Sequence, residues 1–210
     1  NNYNLILVAR NYNKVQDLKN SLEQKFPNIF IEIYELDILD LDNQKLVFDK
    51  IKEVSTGIIS LIGETHYVKK INEKKLFNII NVNFTYLINF LSFFLEHFEK
   101  KNEGFVICVA SVAGLRGRAK NFIYGSAKAA LITFLSGSRN YFNNTDVFIM
   151  TVLPGFIKNN DDKKGTVENL LQIEPSILAK KIFLAHKQKK QILYSSFIWK
   201  IIMIFIQILP

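Results

Sequence analysis

Hydrophobic residues in this chain fall into short unbroken runs separated by longer stretches where they recur every three or four positions. The first pattern reads as buried strand, the second as amphipathic helix. Leu5–Ala9 is an apolar run too short for a helix. Helical spacing of Val15, Leu18 and Leu22 follows over Asn13–Phe26, and Pro27-Asn28 ends it. Ile29–Leu36 is a second strand, and Asp40–Val54 a helix with Leu46, Val47 and Ile51 on one side. Gly57–Ile62 predicts a third strand, Asn72–Glu99 a long helix, Gly104–Ala110 a fourth strand and Ser111–Asn121 a polar loop. Tyr124–Phe142 predicts a helix, and Val147–Leu153 a strand ended by Pro154-Gly155. Then come a mobile loop over Lys158–Asn169, a helix over Pro175–Lys187 and a short strand over Gln191–Tyr194.

Strands that are apolar throughout and alternate with helices predict an α/β fold, a mostly parallel sheet covered on both faces. Ligands of such sheets bind at the carboxyl ends of the strands, so strand-ending residues are the candidates for chemistry. The 210 residues suit one domain over 1–196, followed by an apolar segment over 197–210.

Composition narrows the function. The net charge is +8, from 27 basic and 19 acidic residues, and only four of the basic ones are arginine. No arginine-rich cluster interleaves with aromatics, which argues against nucleic acid. The lysine excess is of the kind a solvated surface usually shows, and it also suits anionic partners such as phosphate-bearing cofactors or acidic lipid headgroups. One cysteine, Cys108, rules out an internal disulfide and a multi-cysteine zinc site; it lies inside a strand and reads as packing. His66, His97 and His186 show no metal-ligand spacing, so no metal is expected, and a reducing cytoplasm is the expected compartment.

The fourth strand ends in Val109-Ala110-Ser111, and Tyr124-Gly125-Ser126-Ala127-Lys128 follows. Tyr124 and Lys128 are four apart and share a helix face. An ammonium beside a phenol stabilises the phenolate and lowers its pKa, creating an acid able to protonate a carbonyl oxygen as hydride arrives at carbon. A serine at a strand end can hold that same oxygen.

With these elements the sequence resembles the short-chain dehydrogenase/reductase family over nearly its whole length. The matching elements are Asn81-Val82-Asn83, Ser111-Val112-Ala113-Gly114, Tyr124-Gly125-Ser126-Ala127-Lys128 and Pro154-Gly155-Phe156-Ile157. The resemblance implies a doubly wound Rossmann-like sheet and a hydride-transferring enzyme with a nicotinamide cofactor. It makes Tyr124 the acid/base and gives Ser111 the substrate oxygen. Lys128 tunes the tyrosine and holds the nicotinamide ribose, while Asn83 anchors the water of a proton relay. Pro154, Gly155 and Ile157 would line the nicotinamide. Arg10, ending the first strand, looks like the clamp on a 2′-phosphate and so points to NADP(H); as a bare residue it is equally a solvated arginine. Asp37 and Ile38 match the positions beside the adenine, and Asp37 also reads as a helix cap.

Two departures stand out. No Gly-rich phosphate turn of the form TGxxxGxG occurs, and the strand that precedes it in the family, central in the sheet between the Leu5 and Gly57 strands, is also absent. The expectation is an N-terminally truncated copy with two open strand edges. Ser60-Leu61-Ile62-Gly63 stands where the family has Asn-Asn-Ala-Gly, and Asn159 replaces the threonine after the Pro-Gly turn.

Ser111 to Arg118, Phe134 to Asn140, and Ile192-Leu193-Tyr194 through Phe197–Lys200 to Pro210 are similar to the branch that includes decaprenylphosphoryl-2-keto-ribose reductase. This likeness implies a lipid-linked keto sugar as substrate, with Arg116 and Arg118 near its phosphate. Another ketone substrate, or a non-catalytic remnant, are the alternatives. The run from Phe197 is shorter than the roughly 20 apolar residues of a membrane span. It reads either as an interfacial anchor at the cytoplasmic membrane or as a helix packed on its own domain or on a second copy of a homo-oligomer.

Overall fold

The computed structural model describes residues 3–65, 72–159 and 166–208. The chain forms two compact units, Asn1–Ser55 and Thr56–Pro210.

In the first unit, β1 (Leu5–Ala9) pairs in parallel with β2 (Ile31–Glu35), Leu5 opposite Ile31 and Ala9 opposite Glu35. The crossover helix α1 (Tyr12–Lys25) starts where the Asn11 side chain accepts the Lys14 amide. Helix α2 (Leu41–Ile51) starts in the same way, Asp40 accepting from Asn43. Its buried face is Gln44, Val47, Phe48 and Ile51, an i, i+3, i+4, i+7 stripe. Leu46, expected on that face, is 60% exposed, because it lies a quarter-turn from Val47 while Phe48 and Gln44 fill the inward positions.

In the second unit, β3 (Gly57–Ser60), β4 (Gly104–Val109), β5 (Val147–Leu153) and β6 (Ile192–Tyr194) form one parallel sheet in that order. Every residue of β5 is buried, as suits an inner strand covered on both faces. Helices α4 (Tyr86–Lys101) and α5 (Phe122–Tyr141) pack on β4 and β5. Helix α7 (Pro175–Lys187) brings Leu178, Ile182 and Ala185 against Ile107, Phe148, Met150 and Val152.

The long predicted helix is continuous but not uniform. Helix α3 (Glu73–Ile80) runs into a π-helical turn, Asn81–Thr85, before α4 begins. The Tyr86 amide reaches back five residues to the Asn81 carbonyl. The polar loop after β4 opens with a 3₁₀ turn, Val112–Gly114. Helix α6 (Thr166–Leu171) occupies the end of the stretch expected to be loop, and residues 160–165 of that stretch, like His66, lie outside the described residues. The apolar C-terminal run forms α8 (Phe197–Ile208).

The strand pattern predicted one sheet; the strands form two. Among the described residues β1 pairs only with β2, and β3 only with β4. Each therefore carries a row of main-chain groups with no strand beside it in its own sheet.

Candidate active site

The second unit gathers Ser111, Tyr124, Lys128 and Asn83. Ser111 follows β4 directly, and its Oγ accepts the Ala113 amide at 3.1 Å, which starts the 3₁₀ turn. The Val112 amide donates to the Pro154 carbonyl at 3.0 Å, so the ends of β4 and β5 are joined beside the serine. The turn then lies directly on α5. A Cβ on Gly114 would sit 2.7 Å from the main chain of Lys128 and Ala129, so only glycine allows this approach. The serine is thereby brought to the helix that carries Tyr124 and Lys128, where its hydroxyl favours the Tyr124 phenolate.

Lys128 is 2% exposed. Its Nζ donates to the Ile62 carbonyl at 3.2 Å and the Val109 carbonyl at 3.3 Å, at the ends of β3 and β4. Burial lowers its pKa to about 8, with neighbouring Cys108 pulling the other way. The Cys108 thiol, fully buried, is pushed up to about 12 by burial and drawn down by Lys128. Nζ lies 5.8 Å from the centroid of the Tyr124 ring.

The expectation that the ammonium lowers the phenol pKa is corrected here. Burial raises the Tyr124 pKa above its ordinary 10.0, and the Ser111 hydroxyl offsets only part of that. The physical reason is that desolvation disfavours the phenolate, while the Lys128 bonds in this structure go to main-chain carbonyls.

Asn83 sits in the π turn with no exposed surface. Its Oδ1 accepts the Glu64 amide at 3.2 Å, and its Nδ2 donates to the carbonyls of Glu64 and Ile79, both at 2.9 Å. The side chain is thus a strap on the segment after β3, and both amide donors are taken. In this structure it holds Glu64 in place, with Gly63 beside it. Gly63 is the contact point between strap and lysine. A Cβ there would lie 3.1 Å from both Asn83 Oδ1 and Lys128 Nζ.

Pro154 is buried at the end of β5, and Gly155 donates its amide to Ser195 Oγ at 3.1 Å. Ile157 packs against the α7 core, and main-chain bonds Ile173 N to Phe156 O and Lys158 N to Ile173 O flank it on either side. Arg118 donates to the Met203 sulfur of α8 at 3.7 Å, and Arg116 is half-buried in the same loop. In the first unit, Arg10 is exposed just past β1. The Asp37 carboxylate accepts the Leu39 amide at 3.0 Å, as a local turn. Ile38 is buried, and Gln44 donates to its carbonyl.

A nicotinamide cofactor fits the lysine end of this site. An ammonium has three donors, and two carbonyls account for two of those on Lys128. The third is suited to ribose hydroxyls. Gln44, Ser195, Glu64 and Gly63 were not foreseen as site residues; only Gly63 carried a signal, as the glycine that survives from the family's Asn-Asn-Ala-Gly.

Comparison with known proteins bears on the family and the fold. The profile of the short chain dehydrogenase family matches residues 1–169. The NADP-dependent 3-hydroxy acid dehydrogenase of Schizosaccharomyces pombe is 28% identical over 160 residues, 73% of this chain and 61% of that protein. The chain spans 54–61% of the length of that protein and two further curated relatives. Among solved structures, the bulky-bulky ketone specific alcohol dehydrogenase from Comamonas testosteroni superposes with a TM-score of 0.82 at 16% identity, covering 98% of this chain and 82% of its own. ElxO with NADP bound gives 0.80 at 19% identity, over 91% of this chain and 86% of its own. These likenesses establish the Rossmann-like α/β fold.

The Asn83 strap yields a stability prediction. Asn83→Leu removes three hydrogen bonds and leaves main-chain groups of Glu64 and Ile79 unanswered, at a cost of about 2 kcal/mol. Urea unfolding of the variant measures it, and a change of only a few tenths of that would show that the strap holds nothing. By its matching profile, the chain belongs to the short chain dehydrogenase family.

Proposed function

We propose that this chain carries the carbonyl-reducing site of an NADPH-dependent oxidoreductase. The observation that supports it most is the packing of the turn after Ser111 directly on α5, which carries Tyr124 one helical turn from the desolvated ammonium of Lys128. When bound, the cofactor supplies a hydride to the carbonyl carbon. Tyr124 gives its proton to the carbonyl oxygen, and Ser111 donates a hydrogen bond to that oxygen. The raised phenol pKa keeps Tyr124 protonated at neutral pH, the form a proton donor needs. Lys128, cationic below about pH 8, stabilises the phenolate that remains. Asn83 keeps Gly63 and the Ile62 carbonyl positioned against Lys128.

Arg10 is the residue proposed to grip the 2′-phosphate, with Asp37 and Ile38 beside the adenine and Pro154, Gly155 and Ile157 beside the nicotinamide. The similar 3-hydroxy acid dehydrogenase is named for its NADP dependence, and ElxO has NADP bound, which supports NADP(H) over NAD(H). The substrate proposed from the sequence is a 2-keto pentose on a polyprenyl phosphate, with Arg116 and Arg118 for the phosphate. A substrate of that kind would be met at the cytoplasmic face of the membrane, with 197–210 as the contact. The second reading is another ketone, such as that of a 3-hydroxy acid, favoured by the name of the similar enzyme. An apolar groove of about 810 Å³ between α4 and α5, with Phe84, Leu95, Phe134 and Tyr141 among its walls, supports association with a second copy.

Two measurements on the intact protein test this reading. Tyr124→Phe removes only the proton donor. It should lower single-turnover NADPH oxidation by at least about a hundredfold while leaving NADPH binding nearly unchanged. Turnover within tenfold of the parent would contradict the assignment. Arg10→Ala should weaken NADPH by about 1.5–3 kcal/mol and leave NADH nearly unaffected; an equal loss for both cofactors would make Arg10 structural.

A further inference from the structure

Helix α8 leaves most of its apolar side chains outside. Phe197, Ile198, Ile201, Ile204, Phe205 and Ile208 are all exposed, Phe197 by 73% and Ile208 by 76%. At about 100° per residue these six fall within an arc of about 120°. Trp199 and Met203 point the opposite way and are buried, and Lys200 and Gln207 border the arc on one flank. This is a helix seated on its own domain by two residues, with a continuous apolar stripe turned away from it.

What seats it is specific. The Trp199 indole lies against Gly155, on the space a Cβ would fill, and meets Phe156 edge-on at 5.5 Å between centroids. Its Nε1 donates to the Leu171 carbonyl at 3.1 Å. Ser195, two residues before the helix, accepts the Gly155 amide, and its own amide donates to Leu153. Helix α8 is thus fixed to the carboxyl end of β5, whose next residue, Pro154, accepts the amide beside Ser111.

The surrounding charge favours one occupant of the stripe. From residue 191 to 210 the one charged residue is Lys200; Lys189, before it, lies over Phe148 near the amino end of β5. Lys200 borders the stripe, Lys181 donates to the Ser195 carbonyl, and Arg118 lies on Met203. Two copies meeting stripe to stripe would face lysine with lysine, with no acid in this segment to answer. An acidic phospholipid surface answers both features: acyl chains for the stripe, anionic headgroups for the cations around it.

We propose that α8 is a docking helix for an acidic phospholipid bilayer, lying in its surface with the stripe down and Trp199 holding the catalytic end of the sheet within about one helix diameter, ~10 Å, of the headgroups. The partner is a lipid surface, and the substrate class it favours is an amphiphilic carbonyl compound resident in that surface. The substrate half rests on the carbonyl-reducing reading of Ser111 and Tyr124; the docking half does not.

Sedimentation of the intact protein with phosphatidylcholine vesicles, with and without phosphatidylglycerol, tests the docking. The protein should pellet with the acidic vesicles, less so in high salt, and weakly with the neutral ones. Ile204→Glu combined with Phe205→Glu should reduce partitioning by more than about a hundredfold while the unfolding temperature holds, since both residues are exposed. Lys200→Glu, which leaves the stripe intact, should weaken only the binding to acidic vesicles. Protein that stays in the supernatant with acidic vesicles overturns the proposal, as does a dimer that the double variant dissociates. For the substrate, the double variant should lose reduction of a long-chain ketone held in vesicles and keep that of its short water-soluble analogue; equal loss of both overturns the delivery role. Reduction of neither ketone by the intact protein counts against the reductase reading, while sedimentation still decides the docking.

Discussion

Lys128 is a charged side chain with almost no access to water, and the second unit is arranged around that fact. A buried ammonium is tolerated only where hydrogen-bond acceptors replace its hydration. The acceptors here are the carbonyls of Ile62 and Val109. They are available because β3 and β4 end at the same level, with Ser60 opposite Cys108 in the register. The segment after β3 must then stay in place, and Asn83 holds it with two hydrogen bonds from a π turn. The wide turn thus sits where an inward-facing amide is needed. The same exclusion of water that lowers the Lys128 pKa raises that of Tyr124, so both groups are pushed toward their neutral forms.

Much of this was legible in the chain. Every strand was marked by an apolar run and every long helix by its spacing, because burial of a strand on two faces and of a helix on one leaves different periods. Tyr124 and Lys128 announced themselves by spacing, and Ser111 by ending a strand. The rest depends on contacts that have no period. The Asn83 strap joins side chain to main chain across 19 residues, and the seat of Trp199 on Gly155 spans a gap of 44. Helix α6 is a single short element in a polar stretch, where composition resembles loop. The phenol pKa was misjudged because spacing shows that two groups share a face and does not show where the ammonium points. Leu46 was misplaced because the inward arc of α2 is set by Gln44, Val47, Phe48 and Ile51, and at about 100° per residue Leu46 falls on the far side of it.

The likeness to the Comamonas ketone dehydrogenase is one of fold. The two chains superpose over nearly all of this one at 16% identity. What a fold can keep at that distance is the alternation of buried strands and amphipathic helices, since any apolar residue of suitable volume serves in most core positions. The chemistry is more demanding. A hydroxyl, a phenol and an ammonium must converge, and that convergence requires a glycine where the turn after β4 meets the α5 main chain.

The central claim is that Lys128 is desolvated and held by two carbonyls, and its proton binding tests this directly. Its pKa is lowered from 10.5 to about 8 in the folded protein. Between those values the unfolded chain binds more protons than the native one, so stability rises with pH; below about pH 8 both states are protonated and the full penalty remains. Lys128→Met lacks the titrating group. Denaturant unfolding of parent and variant across this range should show the parent's deficit relative to the variant at its largest below pH 8, then shrinking by up to about 3 kcal/mol as pH 10.5 is approached. A difference that stays constant across the same range would mean that Lys128 keeps an ordinary pKa, and the arrangement built around its burial would be wrong.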